Sequence, residues 1–365
     1  MHINKSERRQ VSCRSERSVQ EIIDEGFGER AVSLPAIMQA IVLGATGFIG
    51  SHIARALVNE GIDVRILRRD SSPTLALEGL KVEQVTGDLN DPDSLLKAMQ
   101  GCEALFNTAG YYPLYSFEKE KQKNIAIQQT RNVINAALKT PTLKKFVYTS
   151  SMSTMGKNPN GFSDEKTPYD PHHFKGLYYE IKILIEQELL QACQKGLPVV
   201  MVNPTAVFGD YDVKPTSGAL IVQLVKGKVP AIVDAKMNTV DARDVGRGQV
   251  AALKKGKIGE RYILGSRNTT TWELTQMIAR LAKVSGPKFK IPLALTEAGA
   301  IVSEFLGKYV LHQDKPFLPL VGIDFLKYGM HYDTSKAKTE LGFTSVPLEE
   351  TIDRALSWFR ENKYI

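Results

Sequence analysis

Tyr178 and Lys182 have the residue types and the spacing needed to deliver a proton to a carbonyl oxygen. They stand at positions i and i+4, so a helix would place both side chains on one face. Hydride transfer to a carbonyl needs such a donor, because the developing alkoxide must be neutralised. Free tyrosine has a pKa of about 10, and an ammonium about 4 Å away would stabilise the phenolate by up to ~4 kcal/mol. The pair therefore predicts acid/base chemistry at a carbonyl or alcohol group.

The same spacing occurs twice more, so position in the chain must decide among the pairs. The other two are Tyr115 with Lys119 and Tyr332 with Lys336. Only Tyr178 lies in a predicted helix that follows a strand with a serine-rich end, residues 148–151, and precedes a further strand. We therefore expect Tyr178 and Lys182, rather than the other pairs, to be catalytic.

A glycine-rich segment, residues 44–50, lies where a dinucleotide-binding turn is expected. It follows the apolar run 40–43 and opens a stretch with apolar residues at helical spacing. In such turns glycine permits the tight bend, lets the backbone approach a pyrophosphate and lets the helix pack on the strand, while the helix N-terminus supplies amide donors. The sequence therefore predicts cofactor contacts at Gly44, Thr46, Gly47, Phe48, Ile49 and Gly50.

The end of the second predicted strand indicates which nicotinamide cofactor is preferred. An NAD-binding chain places an acidic residue about 20 residues beyond the glycines, where it holds the ribose 2′-hydroxyl. Here Arg68 and Arg69 follow the strand-like run 64–67. A guanidinium matches a 2′-phosphate in charge and geometry, so NADP(H) is favoured. Asp70 is close enough in sequence to leave NAD(H) as an alternative.

Alternating strand-like and helical stretches predict the fold class. Short apolar runs at 40–43, 64–67, 82–85, 104–107, 146–149 and 199–202 are separated by helical patterns. Such alternation predicts right-handed βαβ units, and therefore an α/β protein with a doubly wound parallel sheet of the Rossmann type. After about residue 205 the pattern becomes irregular. We expect an unstructured N-terminal extension at 1–37, a cofactor-binding domain at 38–205 and a smaller C-terminal lobe at 206–365, which mainly binds substrate and returns some segments to the Rossmann core.

Composition argues against several classes of function. The formal net charge of +7 fits a polyanionic cofactor, and no run of Lys and Arg is interleaved with aromatic residues, so nucleic acid is not an expected partner. The three cysteines lie far apart, which predicts neither a disulfide framework nor a metal site and suits a reducing cytoplasm. No apolar stretch has the length of a membrane span. We expect a cytoplasmic enzyme with a small-molecule substrate.

Taken together, these motifs resemble the extended short-chain dehydrogenase/reductase family, also described as the NAD-dependent epimerase/dehydratase superfamily. The nearest branch is the one of dihydroflavonol-reductase-like and hopanoid-associated epimerase-like proteins. The resemblance extends from Met38 to the C-terminus and includes the Gly-x-x-Gly-x-x-Gly spacing together with Asn124-Ile125-Ala126, Asp241-Ala242-Arg243-Asp244-Val245 and Glu340-Leu341-Gly342-Phe343. It implies a homodimer that pairs the helices around 124–138 and 178–193.

The resemblance also implies roles for individual residues. It makes Ser151 the hydroxyl that binds the substrate oxygen, Tyr178 the acid/base, and Lys182 the group that binds the nicotinamide ribose and lowers the tyrosine pKa. It places Asp88 and Leu89 beside the adenine. Further implied cofactor contacts are Thr108, Ala109 and Gly110, which line the pyrophosphate and ribose, and Thr149, Pro204 and Val207.

Two departures from the family pattern narrow the expected reaction. Family dehydratases carry Asp-Glu directly after the catalytic hydroxyl residue, whereas Met152 and Ser153 follow Ser151. Sugar-nucleotide epimerases usually carry Asn at the position of Ala206. The first hypothesis is therefore an NADP(H)-dependent reductase of a ketone or aldehyde. An NAD(P)-dependent sugar or sugar-nucleotide epimerase is the alternative, and the catalytic set argues against a regulator without turnover. We expect substrate specificity to come from residues 111–115, 152–171 and the C-terminal lobe.

Overall fold

The computed structural model describes residues 39–110, 116, 118–170, 176–309, 323, 326–327 and 329–365. The expected N-terminal extension at 1–37 lies outside the described residues, and so does the segment 111–115 with Tyr115. For these segments the expectations from the sequence stay predictions.

A seven-stranded parallel sheet forms the centre of the molecule. Its strands are β1 (Gln39–Leu43), β2 (Asp63–Arg68), β3 (Glu83–Thr86), β4 (Ala104–Asn107), β5 (Lys145–Thr149), β6 (Val199–Pro204) and β10 (Arg261–Leu264). They are arranged in the order β3-β2-β1-β4-β5-β6-β10. The order 3-2-1-4-5-6 is that of the doubly wound dinucleotide-binding fold. The predicted α/β fold class is therefore confirmed.

Helices cover both faces of this sheet. They are α1 (Phe48–Asn59), α2 (Pro92–Met99), α3 (Lys119–Leu138), α4 (Leu177–Gln194) and α6 (Ala242–Lys255). Alternate residues of β1 enter different apolar clusters, because successive side chains of a strand point to opposite faces. Ala40 and Val42 pack in the cluster with α1 and α6, and Ile41 and Leu43 pack in the cluster with α2, α3 and α4. Burial on both faces explains why the strands read as continuous apolar runs.

A smaller lobe follows β6. A three-stranded sheet contains β7 (Ala206–Phe208), β9 (Lys236–Asp241) and β11 (Arg267–Thr270), and a two-stranded sheet contains β8 (Ala231–Ile232) and β12 (Phe289–Lys290). The other helices are α5 (Ala219–Val225), α7 (Thr271–Ala282), α8 (Leu293–Tyr309) and α9 (Leu348–Glu361). Phe208, Ile278 and Phe359 belong to a separate core in this lobe. The chain returns to the large sheet through α6 and β10.

Within the described ranges, no helix has both the length and the apolar character that crossing a bilayer requires. The same ranges contain no group of three His, Cys, Asp or Glu side chains arranged to hold a metal ion.

Candidate active site

Three sequence segments that are far apart in the chain meet at the carboxyl edge of the large sheet. Leu43 at the end of β1 pairs with Asn107 of β4, and Asn107 pairs with Tyr148 of β5. The glycine-rich turn, the segment 108–110 and Ser151 therefore leave neighbouring strands at the same edge. In open α/β sheets this edge is where ligands bind, at the point where the strand order reverses.

Glycine is required by close backbone contacts in the turn between β1 and α1. Gly44 has φ of +88°, and a Cβ there would lie 2.6 Å from Thr108 Oγ1 and 2.8 Å from the Ala109 nitrogen. A Cβ on Gly50 would overlap the carbonyl oxygen of Gly44. The helix begins at Phe48 without a side-chain cap. The first backbone amides of this helix have no side-chain partner, and the glycines leave room for a ligand to approach them. Both features fit the binding of a pyrophosphate.

The segment after β4 is held against this turn by hydrogen bonds. The Thr108 nitrogen and Oγ1 each donate to the Leu43 carbonyl oxygen at 3.0 Å. The Ala109 nitrogen donates to Asn107 Oδ1 at 2.9 Å. Thr108 and Ala109 are half-buried, and Gly110 is exposed at the edge. This geometry fits the predicted contact with a pyrophosphate and ribose.

At the ends of β2 and β3 lie the residues predicted to bind the adenosine half of the cofactor. Arg68 Nε donates to Gln84 Oε1 at 2.8 Å, which holds a half-buried guanidinium at the end of β2. Arg69 beside it is exposed. Asp70, the residue that left NAD(H) open, accepts a hydrogen bond from Thr86 Oγ1 at 3.0 Å. The sequence pattern did not indicate Gln84, because its contact depends on how β2 and β3 pair.

Asp88 and Leu89 follow β3 and are half-buried. Asp88 Oδ1 accepts hydrogen bonds from the backbone nitrogen of Asn90 at 2.8 Å and from its side-chain nitrogen at 2.7 Å. These bonds fix the turn after β3, at the same edge of the sheet as the glycine-rich turn.

The predicted catalytic residues come together on β5, the loop after it and α4. The Tyr178 hydroxyl lies near the side chains of Ser151 and Ser153, and both of these hydroxyls act to lower its pKa. Ser151 Oγ also accepts a hydrogen bond from the Ser153 nitrogen at 3.2 Å, at the start of a short 3₁₀ helix. Lys182 is buried, and its Nζ donates to the Thr149 carbonyl oxygen at 3.3 Å. The arrangement brings a phenol, a hydroxyl and an amine together beside the end of β5.

Burial shifts the pKa of Tyr178 and the pKa of Lys182 in the directions that favour their neutral forms. It raises the pKa of Tyr178, and the neighbouring hydroxyls of Ser151 and Ser153 oppose this. It lowers the pKa of Lys182 to about 7, with the Glu186 carboxylate opposing. The family resemblance implies that the lysine charge lowers the tyrosine pKa. Desolvation is instead the largest influence on the pKa of Tyr178, because removal from water disfavours each charged form.

The remaining predicted cofactor contacts lie within strands or at their last residues. Thr149 is the last residue of β5, and its Oγ1 accepts a hydrogen bond from Gln249 Nε2 at 2.7 Å. Pro204 is the last residue of β6, and Val207 is buried in β7. The sequence pattern gave no signal for Gln249, which lies on α6 and reaches Thr149 only through the tertiary fold.

The pair Tyr332 and Lys336 does not form a second site of this kind. Tyr332 lies in an isolated β-bridge with Ser163, so it does not share a helix face with Lys336. Its buried hydroxyl donates to the Met152 carbonyl oxygen at 3.4 Å. Lys336 pairs with Glu260 at 2.5 Å. Equal spacing in sequence therefore does not produce equal geometry.

Replacing Lys182 with methionine should stabilise the folded protein more at about pH 6 than at about pH 9. The folded-state pKa of about 7 lies below the ordinary lysine value of about 10.4. Below about pH 7 the Lys182 amine is charged in both the folded and the unfolded state, so folding of the parent protein carries the full cost of desolvating the charge. As the pH rises from about 7 toward about 10, only the unfolded chain holds the proton, and the free energy of unfolding of the parent protein increases. Thermal unfolding at the two pH values tests this prediction. An equal effect at both would be evidence against a buried, titrating Lys182.

Known proteins similar to this chain share its fold. Residues 40–265 match the model of the family described as the NAD dependent epimerase/dehydratase family. A Synechocystis sp. protein provisionally named dihydroflavonol 4-reductase is 34% identical over 89% of this chain and 95% of its own length. Sterol demethylase protein B of Methylococcus capsulatus is 30% identical over 90% of this chain and 100% of its own length. The crystal structure of a nucleoside-diphosphate-sugar epimerase from Pseudomonas aeruginosa has a TM-score of 0.76 at 29% identity, covering 90% of this chain and 99% of that one.

Proposed function

Since the chain belongs to the NAD dependent epimerase/dehydratase family and is an NAD(P)-dependent oxidoreductase of the extended short-chain type, we propose that it uses NADPH to reduce a ketone or aldehyde of a small organic molecule. One observation carries this proposal: Tyr178, Ser151 and Lys182 meet at the carboxyl edge of the sheet, where the glycine-rich turn also lies. A proton donor beside a nicotinamide site is what carbonyl reduction needs.

The proposed reaction assigns one role to each side chain. When bound, the nicotinamide supplies hydride to the carbonyl carbon. Tyr178 donates its hydroxyl proton to the carbonyl oxygen, and Ser151 donates a hydrogen bond to the same oxygen. Lys182, in its charged form, stabilises the phenolate that remains on Tyr178. Burial keeps the pKa of Tyr178 above its ordinary value, so the phenol holds the proton that reduction consumes.

The surroundings of Ser151 support a small organic substrate. Met155, Tyr179, Ile263, Met330 and Tyr332 form a buried apolar cluster, and Met152 and Tyr169 pack against it. The segment around Ser163 is bridged to Tyr332, so the loop after β5 and the C-terminal part of the chain close this side together. We propose that the C-terminal lobe, 206–365, together with this loop forms the substrate pocket.

The epimerase alternative is supported by the similarity to the Pseudomonas aeruginosa epimerase. Against it, Ala206 begins β7 at the position where an Asn is expected for a sugar-nucleotide diphosphate. An epimerase returns hydride to its substrate and leaves no net oxidised cofactor. A panel of ketones and aldehydes followed by NADPH absorbance therefore separates the two proposals, since only a reductase consumes NADPH in proportion to product.

The homodimer implied by the family resemblance remains part of the proposal. It would join α3 and α4 of two subunits. Within one chain these helices are linked by an ion pair between Arg131 and Glu188 at 2.5 Å. Light scattering at micromolar concentration tests this proposal, and a stable monomer would contradict it.

Arg68→Ala should weaken NADPH binding by about 5- to 150-fold, equivalent to about 1–3 kcal/mol, and leave NADH binding nearly unchanged. The reason is that the guanidinium at the end of β2 is proposed to bind the 2′-phosphate, which NADH lacks. Fluorescence titration of both cofactors measures the effect. Arg360→Ala, which removes an exposed arginine from α9, is the matched control for net charge. Equal weakening of NADPH and NADH would contradict the NADP(H) assignment.

A further inference from the structure

A buried polar network centred on Glu186 lies behind the proposed catalytic residues. Glu186 is on α4 and is 2% exposed. One carboxylate oxygen, Oε1, accepts hydrogen bonds from Ser150 Oγ, from Thr154 Oγ1 at 3.0 Å and from Asn203 Nδ2 at 2.8 Å. The other, Oε2, lies 3.4 Å from Arg261 Nη1. A carboxylate this buried requires its partners, because an unpaired charge in the interior is strongly unfavourable.

The network encloses the segment that carries Ser151. Ser150 and Thr154 stand on either side of this residue, and both bind the same carboxylate oxygen of Glu186. Asn203 Nδ2 also lies 3.0 Å from the Ser151 carbonyl oxygen. These three contacts fix the backbone from which the Ser151 hydroxyl projects. A hydroxyl that must meet a substrate oxygen within hydrogen-bond distance depends on such fixed support.

The same carboxylate acts on Lys182. Glu186 follows Lys182 by four residues and Tyr178 by eight on α4, so the three share one helix face. The negative charge of Glu186 opposes the desolvation that lowers the pKa of Lys182. The ionisable groups around this carboxylate are Lys182 and Tyr178 on α4, Tyr148 on β5, Arg261 on β10 and Glu165 in the loop after β5.

We propose that Glu186 is a positioning residue for the reduction: it holds the chain on both sides of Ser151 and places a negative charge one helical turn from Lys182. This rests on the roles proposed for Ser151, Tyr178 and Lys182. If Glu186 were purely structural, its loss would affect folding alone. The two proposed roles have further consequences, because the effect on Lys182 depends on the charge of Glu186 and the support of Ser151 depends on the position of its oxygen atoms.

The charge is tested by titrating Lys182 directly. In Glu186→Gln, the shape is kept and the negative charge is lost, so the pKa of Lys182 should fall by about one unit or more. NMR of ¹³Cε-labelled lysine measures this without any substrate, and Lys182→Arg assigns the signal. Glu188→Gln is the matched control, since Glu188 lies on the same helix and pairs with the exposed Arg131. It should leave the Lys182 titration in place.

Folding effects are separated by a second variant. Glu186→Gln leaves the buried Arg261 without its carboxylate, which destabilises the fold. The double variant Glu186→Gln/Arg261→Gln removes both charges and should recover thermal stability while the Lys182 pKa stays lowered. Thr154→Val removes the hydroxyl that contacts Glu186, the Ser151 carbonyl oxygen and Asn203, and it removes no charge. It should reduce kcat while leaving the Lys182 titration unchanged.

Activity gives the second readout. Turnover should decline on the alkaline side as Lys182 loses its proton, so the decline should begin at lower pH in Glu186→Gln and in the double variant. An unchanged Lys182 titration and an unchanged pH profile in the folded double variant would overturn the proposal. Failure of the proposed function would look different: Tyr178→Phe would keep its turnover, or NADPH would not be consumed, whatever the Glu186 variants do.

Discussion

Replacing Tyr178 with phenylalanine is expected to lower kcat by about 100- to 10,000-fold while NADPH affinity changes little. The substitution removes the proton donor that lies near Ser151 and Ser153, and it retains the aromatic ring. Lys182 keeps its hydrogen bond to the Thr149 carbonyl oxygen, so the proposed ribose contact is preserved. Steady-state kinetics with a carbonyl substrate and fluorescence titration with NADPH separate the two effects.

The neighbouring tyrosine provides the control. The ring of Tyr179 lies 6.3 Å from that of Tyr178, and it is buried. Tyr179→Phe also deletes one phenolic hydroxyl in the same turn of α4, but this residue has no proposed part in proton transfer. Its kcat should stay within a few fold of the parent value. If Tyr178→Phe turned over as fast as Tyr179→Phe, the acid/base assignment would be wrong.

Gly50→Ala is expected to weaken NADPH binding by at least about 100-fold, equivalent to about 3 kcal/mol or more. The added methyl group would overlap the Gly44 carbonyl oxygen and lie 2.8 Å from Thr108 Oγ1. Since the overlapped atom belongs to the backbone, α1 must move away from the turn. The amides at its start would then leave the position proposed for the pyrophosphate. Isothermal titration with NADPH measures the loss.

A glycine at the other end of α1 distinguishes this effect from general destabilisation of the helix. Gly61 has φ of +72°, and a Cβ there would meet nothing within 4 Å. Gly61→Ala should therefore cost only the strain of a left-handed residue, about 1–2 kcal/mol of folding stability, with cofactor affinity retained. NADPH binding that fell equally in the two variants would show that Gly50 acts through helix stability and not through the turn.

Local patterns were sufficient to predict the first half of the fold. The strand, turn and helix around Gly44 to Gly50 are encoded within a short stretch, and the apolar runs of β1, β2, β4 and β5 reflect burial on both faces. The last strand of the large sheet was not predicted. Arg261–Leu264 is short, and it joins β6 only because α6 carries the chain back across the sheet. Strand pairing between residues so far apart in the chain produces no local sequence pattern from which it could be predicted.

Sequence position was sufficient to place Tyr178 and Lys182 on one helix after β5, whereas other features of the candidate site depend on tertiary contacts. Helical spacing and the preceding strand favoured Tyr178 over Tyr332, and Tyr332 does not share a helix face with Lys336. In contrast, nothing in the sequence distinguishes Glu186 from the other acidic residues of its helix. Its contacts with Ser150, Asn203 and Arg261 form only when the chain folds. The pKa of Tyr178 illustrates the same limit. The spacing of two residues in sequence allows an estimate of how far one charge shifts the pKa of the other. The effect of desolvation depends on how deeply the fold buries the side chain, which the local sequence does not determine.

Transfer of deuterium from specifically labelled [4-²H]NADPH distinguishes carbonyl reduction from epimerisation. Each cofactor face is labelled in turn, and the enzyme is incubated with a carbonyl substrate found in the absorbance panel. We expect an alcohol product that carries deuterium from one of the two labelled cofactors, with one NADP⁺ formed per product molecule. Mass spectrometry measures the label, and absorbance measures the cofactor. An epimerised product without deuterium, formed with no net oxidation of NADPH, would contradict the reductase assignment and support an epimerase.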